Sequence, residues 1–168
     1  MGTVPKGKWL DKEQQAAWRA LLATYQLLQD ALDRQLQRDA RMPHAYYMVL
    51  VILSEAPDRT LRMTDLAQMV QSSQSRMSHA IARLEERGWV RREQCPTDKR
   101  GQNAVLTDEG FAVLAEAAPG HVQAVRENFF DQLSREQVQQ LREICETALT
   151  KLGATGRGAA GAGAGTSR

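Results

Sequence analysis

SSQSRMSHAIARLEERGWVRREQCPTDKRG, residues 72–101, decides how this chain is read. Its two serines, Ser72 and Ser73, can cap a helix, because a hydroxyl at that position accepts an orphan backbone N–H. The apolar residues that follow, Met77, Ala80, Ile81 and Leu84, share one helical face. The basic ones, Arg76, His79, Arg83 and Arg87, form a second stripe whose centre lies roughly 100° away. Gly88 suits the position just past a helix end, where a left-handed backbone is common. WVRREQ (89–94) and QNAVL (102–106) then read as strands. CPTDKRG (95–101), bracketed by Pro96 and Gly101, reads as a basic loop too long for a two-residue turn. One face of the helix packs inward. The other is either a solvated surface or one that lies against something negative.

Charge separates these alternatives. The 168-residue chain carries a formal net charge of only +2. Yet residues 59–100 hold nine Lys/Arg against five Asp/Glu, and the remainder holds thirteen against fifteen. A local positive excess on a near-neutral chain points to a local anionic partner, and it argues against a nonspecific architectural DNA binder, which relies on a broad positive surface.

Working outward, residues 9 to about 38 read as one long amphipathic helix, with Leu10, Ala17, Leu21, Leu28 and Leu32 at helical spacing. Pro43 fits the first turn of a second helix, PHAYYMVLVILSEA, apolar nearly all round and therefore expected at the centre. TLR (60–62) is a short strand, and Thr64 caps a third helix, DLAQMV. Beyond the hairpin, Thr107 caps a helix expected to kink or break near Pro119–Gly120. Ser134 with Gln137 makes a capping box for a last helix running to about Lys151. Residues 153–168, almost all Gly and Ala, read as a disordered tail. The order is a helix-turn-helix followed by a hairpin: a mostly α fold with a small β-hairpin wing. A helix-turn-helix lays its second helix in the major groove of duplex DNA.

LRMTDLAQMVQSSQSRMSHAIARLEERGWVRREQCPTDKRGQNAVLTDEG resembles the MarR family of bacterial transcription regulators. The matching features are Leu66-Ala67, the Ser73-Gln74-Ser75-Arg76 opening, Arg83-Leu84-Glu85 leading to Gly88-Trp89-Val90, Asp98-Lys99-Arg100-Gly101, and Leu106-Thr107-Asp108-Glu109-Gly110. AAPGHVQAVRENFFDQL and SREQVQQL are similar to the family's paired C-terminal helices, so the likeness covers roughly residues 9–152. It implies a homodimer in which residues 9–56 and 107–152 form the helical dimerisation region and residues 57–106 the winged helix-turn-helix. It also implies a pseudo-palindromic operator, repression, and release by a small aromatic or phenolic effector. The apolar stripes on both terminal helices independently ask for a partner surface.

The DNA contacts expected are Thr64, Ser73, Gln74, Ser75, Arg76, Ser78, His79 and Arg83, with Asp98, Lys99 and Arg100 on the wing. Gln74 and Arg76 suit bidentate pairing with adenine and guanine, Arg83 a phosphate, and Arg100 a narrow minor groove. For the effector, the resemblance and a local excess of aromatics suggest Trp18, Tyr25, His44, Tyr47 and Arg62. Each has a plainer reading: core or dimer packing for Trp18 and the tyrosines, a surface or packing role for His44, an ion pair for Arg62.

Cys95 stands beside Arg91, Arg92 and Lys99, which would lower its thiol pKa. It reads as an inert wing cysteine, with oxidant sensing as the alternative. Cys145 lies on the last helix's apolar stripe and is expected in the core. Three scattered histidines, no phosphate loop and no metal-ligand cluster speak against an enzyme, a metal or a cofactor. The N-terminus lacks the apolar core of a signal peptide, and no apolar run approaches a membrane span. The expectation is a cytoplasmic DNA-binding regulator.

Overall fold

The computed structural model describes residues 9–96 and 98–153, with backbone alone at residues 99 and 100. The segment expected as a disordered tail lies outside the described residues from residue 154 on, as do the side chains of Lys99 and Arg100.

Helix α1 (Lys12–Ala40) begins at Asp11. The Asp11 carboxylate accepts the Gln14 N–H at 2.8 Å, and the Gln14 side chain accepts the Asp11 N–H at 3.2 Å. That reciprocal pair sets the start three residues later than the periodicity alone suggests. Helix α2 is His44–Glu55, with Pro43 as its N-cap rather than in its first turn. As expected it is the central element: Tyr47, Val49, Leu50 and Leu53 are buried.

A single 3-10 turn (Pro57–Arg59) leads to β1 (Thr60–Arg62) and α3 (Met63–Met69). Arg62, in extended conformation, occupies the α3 N-cap. Thr64 therefore does not cap this helix; it lies inside the first turn, its hydroxyl 3.3 Å from the Asp65 carboxylate. Gln71, with φ +50°, turns the chain into α4 (Gln74–Glu86). Ser73 caps α4, accepting the Arg76 N–H at 3.3 Å. Met77, Ile81 and Leu84 form the buried face of α4. At its end Gly88 takes φ +74°, its N–H bonding Glu85 and the Trp89 N–H bonding Leu84. These two bonds make a Schellman motif.

The wing is β2 (Val90–Cys95) and β3 (Asp98–Leu106). β3 is the centre of a three-stranded antiparallel sheet, order β1-β3-β2. Thr60 faces Val105 on one side, and Val90 faces Leu106 on the other. The loop is shorter than expected. Cys95 pairs with Asp98, and a register shift between Gln94 and Cys95 absorbs the surplus residues into β3. A bulge thus does what a long loop was expected to do.

Thr107 caps α5 (Asp108–Asn128), accepting the Gly110 N–H at 3.0 Å. The break expected at Pro119–Gly120 does not occur: α5 continues through Pro119. A proline removes one helical bond. Here α5 packs along α1 and α2, which support it on both sides of Pro119. A second 3-10 turn and the Ser134–Gln137 capping box lead into α6 (Arg135–Lys151).

The core lies where α2, α3, α4 and the sheet meet, around Leu36, Met42, Leu50, Leu66, Ile81 and Leu84. The terminal helices differ. Trp18, Leu21, Leu22 and Tyr25 of α1 are exposed, and no residue of α6 is buried. Cys145, expected in the core, is exposed with the rest of the α6 stripe.

Candidate nucleic-acid interface

α4 presents three flanks. Its buried one faces the core. Ser75 and His79, on the opposite side, are exposed, as are Ser73, Gln74, Arg76, Ser78 and Arg83. The leading turn thus offers hydroxyl, amide and guanidinium groups to anything laid across it.

Most of the arginines around α4 are already engaged. Arg83 meets Glu86 at 2.7 Å. Arg87 donates to the Arg41 carbonyl at 3.0 Å and covers the Trp89 ring. Arg91 meets Glu93 at 2.7 Å, and Arg59 meets Asp108 at 3.0 Å. Arg92 fastens β2 to α4: its backbone N–H donates to Glu85 at 2.9 Å, its guanidinium to the Ser78 carbonyl at 2.8 Å. Of the arginines from 59 to 92, Arg76 alone has a guanidinium with no hydrogen-bond or ion-pair partner among the described residues. The basic stripe seen in the sequence is therefore not one uniform row. Arg83 and Arg87 are held by neighbours, while Arg76 and His79 stand open at the front.

Two voids flank α4. The larger, about 960 Å³, lies between α1, α2 and α4. Tyr25, Asp30, Asp33 and His44 form one wall, and Arg76, His79 and Arg83 the other. The smaller, about 370 Å³, lies on the wing side and is bordered by Arg62, Thr64, Gln74, Ser78 and Asp98.

The five effector candidates do not come together. Tyr25 and His44 line the larger cleft. Tyr47 is buried behind it, its ring 4.3 Å from that of His121. Trp18 is exposed on α1 away from the cleft, and Arg62 stands at the wing. Sequence reasoning missed Asp30 and Asp33, though Tyr25, Gln29 and Asp33 recur every fourth residue and so share one face of α1. It also missed His121. That residue is buried against His44, ring centroids 5.4 Å apart, and its Nδ1 has no partner. Burial, then proximity to His44, lowers the His121 pKa to about 4. Burial lowers that of His44 too, against the opposing pull of Asp33.

Cys95 is buried, and its Sγ accepts from Arg62 Nη2 at 3.2 Å. The same guanidinium lies 3.6 Å from the Asp98 carboxylate. Arg91 and Arg92, expected beside the thiol, are instead paired with Glu93 and Glu85. Among the described residues no group of three or more His, Cys, Asp or Glu could hold a metal ion, and no helix is long and apolar enough to cross a membrane.

Comparison with known proteins places this geometry. Residues 42–101 match the MarR family model. The chain is 57% identical to Sco3205 of Streptomyces coelicolor, described as a MarR family transcriptional regulator in complex with DNA. That likeness covers 86% of this chain and 94% of Sco3205, with a TM-score of 0.81. AbsC, a MarR family transcriptional regulator of the same organism, is 38% identical, with 89% and 100% covered and a TM-score of 0.81. The transcriptional regulator HosA of Escherichia coli O111:H- is 35% identical over 91 residues, 54% of this chain. The chain spans 65% of the length of HosA.

Proposed function

Because this chain belongs to the MarR family of winged-helix transcription regulators, we propose that it binds a pseudo-palindromic DNA operator as a homodimer and represses transcription from it. α4 enters the major groove, and the wing reaches the adjacent minor groove through Arg100. The observation that carries this reading is Arg76: an exposed guanidinium on the leading turn of α4 with no partner among the described residues. Its charge is available to a phosphate or to a guanine edge. Ser73, Gln74, Ser75, Ser78 and His79 are exposed along the same leading half of α4. Thr64 stands at the mouth of the wing-side void, and Asp98 and Lys99 lie on the wing itself.

Surface chemistry supports the dimer. Exposed Trp18, Leu21 and Leu22 on α1 and Ile144 and Leu152 on α6 form apolar area that one chain leaves in water. Burying such area contributes about 25 cal/mol per Å². Two chains paired through these helices place two copies of α4 on one side, about 10 bp apart along the duplex.

The larger cleft supports a second element of the reading, a small aromatic acid bound between α1, α2 and α4. Arg76 gives that cleft an unpaired guanidinium, Tyr25 and His44 supply ring surface, and a ligand there acts by favouring one spacing of the two α4 helices. The protein is expected in the cytoplasm, where the DNA is.

The test is light scattering together with fluorescence anisotropy on duplexes flanking the protein's own coding region, with and without a panel of aromatic acids. A dimer whose binding weakens steeply with salt is expected. A monomer, or a protein indifferent to every duplex at low ionic strength, overturns the reading. A panel that neither stabilises the protein nor weakens its binding removes the effector.

A further inference from the structure

Arg62 is the last residue of β1 and the N-cap of α3, so its backbone joins the sheet to the helix-turn-helix. Its side chain runs the other way. One guanidinium reaches Asp98, the first residue of β3, at 3.6 Å. It also reaches Cys95, the last residue of β2, at 3.2 Å. With the order β1-β3-β2, a single cation therefore bridges all three strands at the loop end of the wing, where β2 ends and β3 begins. The backbone leaves room for it. A Cβ on Gly101 would stand 3.2 Å from the Asp98 carboxylate and 3.3 Å from the Cys95 Cβ. The void bordered by Gln74 and Ser78 lies between this clasp and α4; Arg92 anchors the middle of β2 to α4, and the clasp holds the loop end of the wing beyond that anchor.

We infer that Arg62 is a positioning residue for DNA recognition: through Asp98 and Cys95 it holds the loop end of the wing, and it does not itself bind a phosphate. The inference rests on the DNA-binding reading above. Its charge is shared with a carboxylate at 3.6 Å, which leaves little attraction for a second anion. A wing released from Arg62 keeps its strands but loses its fixed reach into the minor groove.

Three variants decide this: Arg62→Ala, Asp98→Asn and the double variant. In the protein without DNA, amide hydrogen exchange at residues 91–95 and 102–104 should speed up by about tenfold in all three, with α4 amides unaffected. On DNA, each should weaken binding by about tenfold, and the double variant no further than either single one, because both changes open the same clasp. Minor-groove protection from hydroxyl radical should fade while major-groove protection persists, and the salt slope should match wild type. Two results overturn the inference. One is wing exchange unchanged in the single variants. The other is a salt slope that falls by about one charge in Arg62→Ala while Asp98→Asn binds more tightly, which marks Arg62 as a phosphate ligand. Should wild type bind no duplex, the DNA-binding reading fails, and the exchange measurement still settles whether the clasp holds the wing.

Discussion

Gly110 passes against the carbonyl of Trp89 so closely that no side chain fits between them. A Cβ on Gly110 would collide with that oxygen and stand 2.8 Å from both the Trp89 carbonyl carbon and Leu106 Cδ1. Trp89 follows α4, and Gly110 is in the first turn of α5. The contact closes the base of the wing: the Trp89 carbonyl accepts the Thr107 N–H at 3.1 Å, and the Thr107 hydroxyl donates to the Gly88 carbonyl at 2.7 Å. Gly110→Ala has to push backbone away from backbone. It should destabilise the protein by about 2–4 kcal/mol, at the upper end of overpacking changes. Urea unfolding measures it; a loss below 0.5 kcal/mol, on the order of a neutral surface change, would show that the wing base yields.

Ser73 carries two separable roles. Its hydroxyl caps α4, so Ser73→Ala should lower stability by about 1 kcal/mol. Ser73→Asp retains the cap and adds a charge that suits the helix dipole. The aspartate should therefore fold as well as wild type and bind DNA more weakly, because a carboxylate then faces phosphates. Equal affinity of Ser73→Asp and wild type in anisotropy titrations would move Ser73 off the DNA face.

Arg76→Ala should raise Kd by roughly 10- to 100-fold, the equivalent of about 1–3 kcal/mol, and relax preference at one base position. Its guanidinium has no hydrogen-bond or ion-pair partner among the described residues, so the thermal midpoint should stay put. Selection from a random duplex library reads the preference directly. An unaltered consensus would leave Arg76 with phosphate contact alone.

Acid should weaken the junction of α2 and α5. Above pH 6.5 His121 is neutral in both states, and its buried ring loses nothing. Between pH 6.5 and about 4 the unfolded chain binds a proton that the folded one refuses. Stability therefore falls as pH drops through that window, by about 3 kcal/mol in all, and this contribution levels off below the folded pKa. The lowered His44 pKa acts in the same direction. His121→Phe keeps ring contact with Tyr47 and removes the titration, so its stability should fall less between pH 7 and 4.5. A variant as acid-sensitive as wild type in urea titrations would assign the effect to carboxylates instead.

What the sequence disclosed was local. Ser73, Thr107 and Ser134 cap helices because a hydroxyl and an N–H three residues on meet whatever the rest of the chain does. Gly88 ends α4 for the same kind of reason. The central α2 was visible from its unbroken apolar run, and the leading turn of α4 from its serines and Arg76. Much of what it did not disclose depends on partners far along the chain. Arg62 carried two readings, effector site and ion pair, and its partner Asp98 becomes a neighbour only once β1 pairs with β3. His121 drew no notice because His44 and Tyr47 come more than seventy residues earlier. Pro119 looked like a break because the α1 and α2 surfaces that hold α5 together leave no mark in its own segment. Thr64 was placed as a cap because its side chain suits that position, whereas Arg62, two residues earlier, fills it with its backbone alone.

α4 separates two spaces of unequal size. Arg76, His79 and Arg83 border the inner one, Gln74 and Ser78 the outer. With 13 residues it is a partition about 20 Å long. A roll of this partition about its long axis that narrows one chamber enlarges the other. On the effector reading proposed above, a guest that widened the inner chamber would draw the leading turn of α4 towards the wing, and so would alter the outline offered to the duplex without touching it.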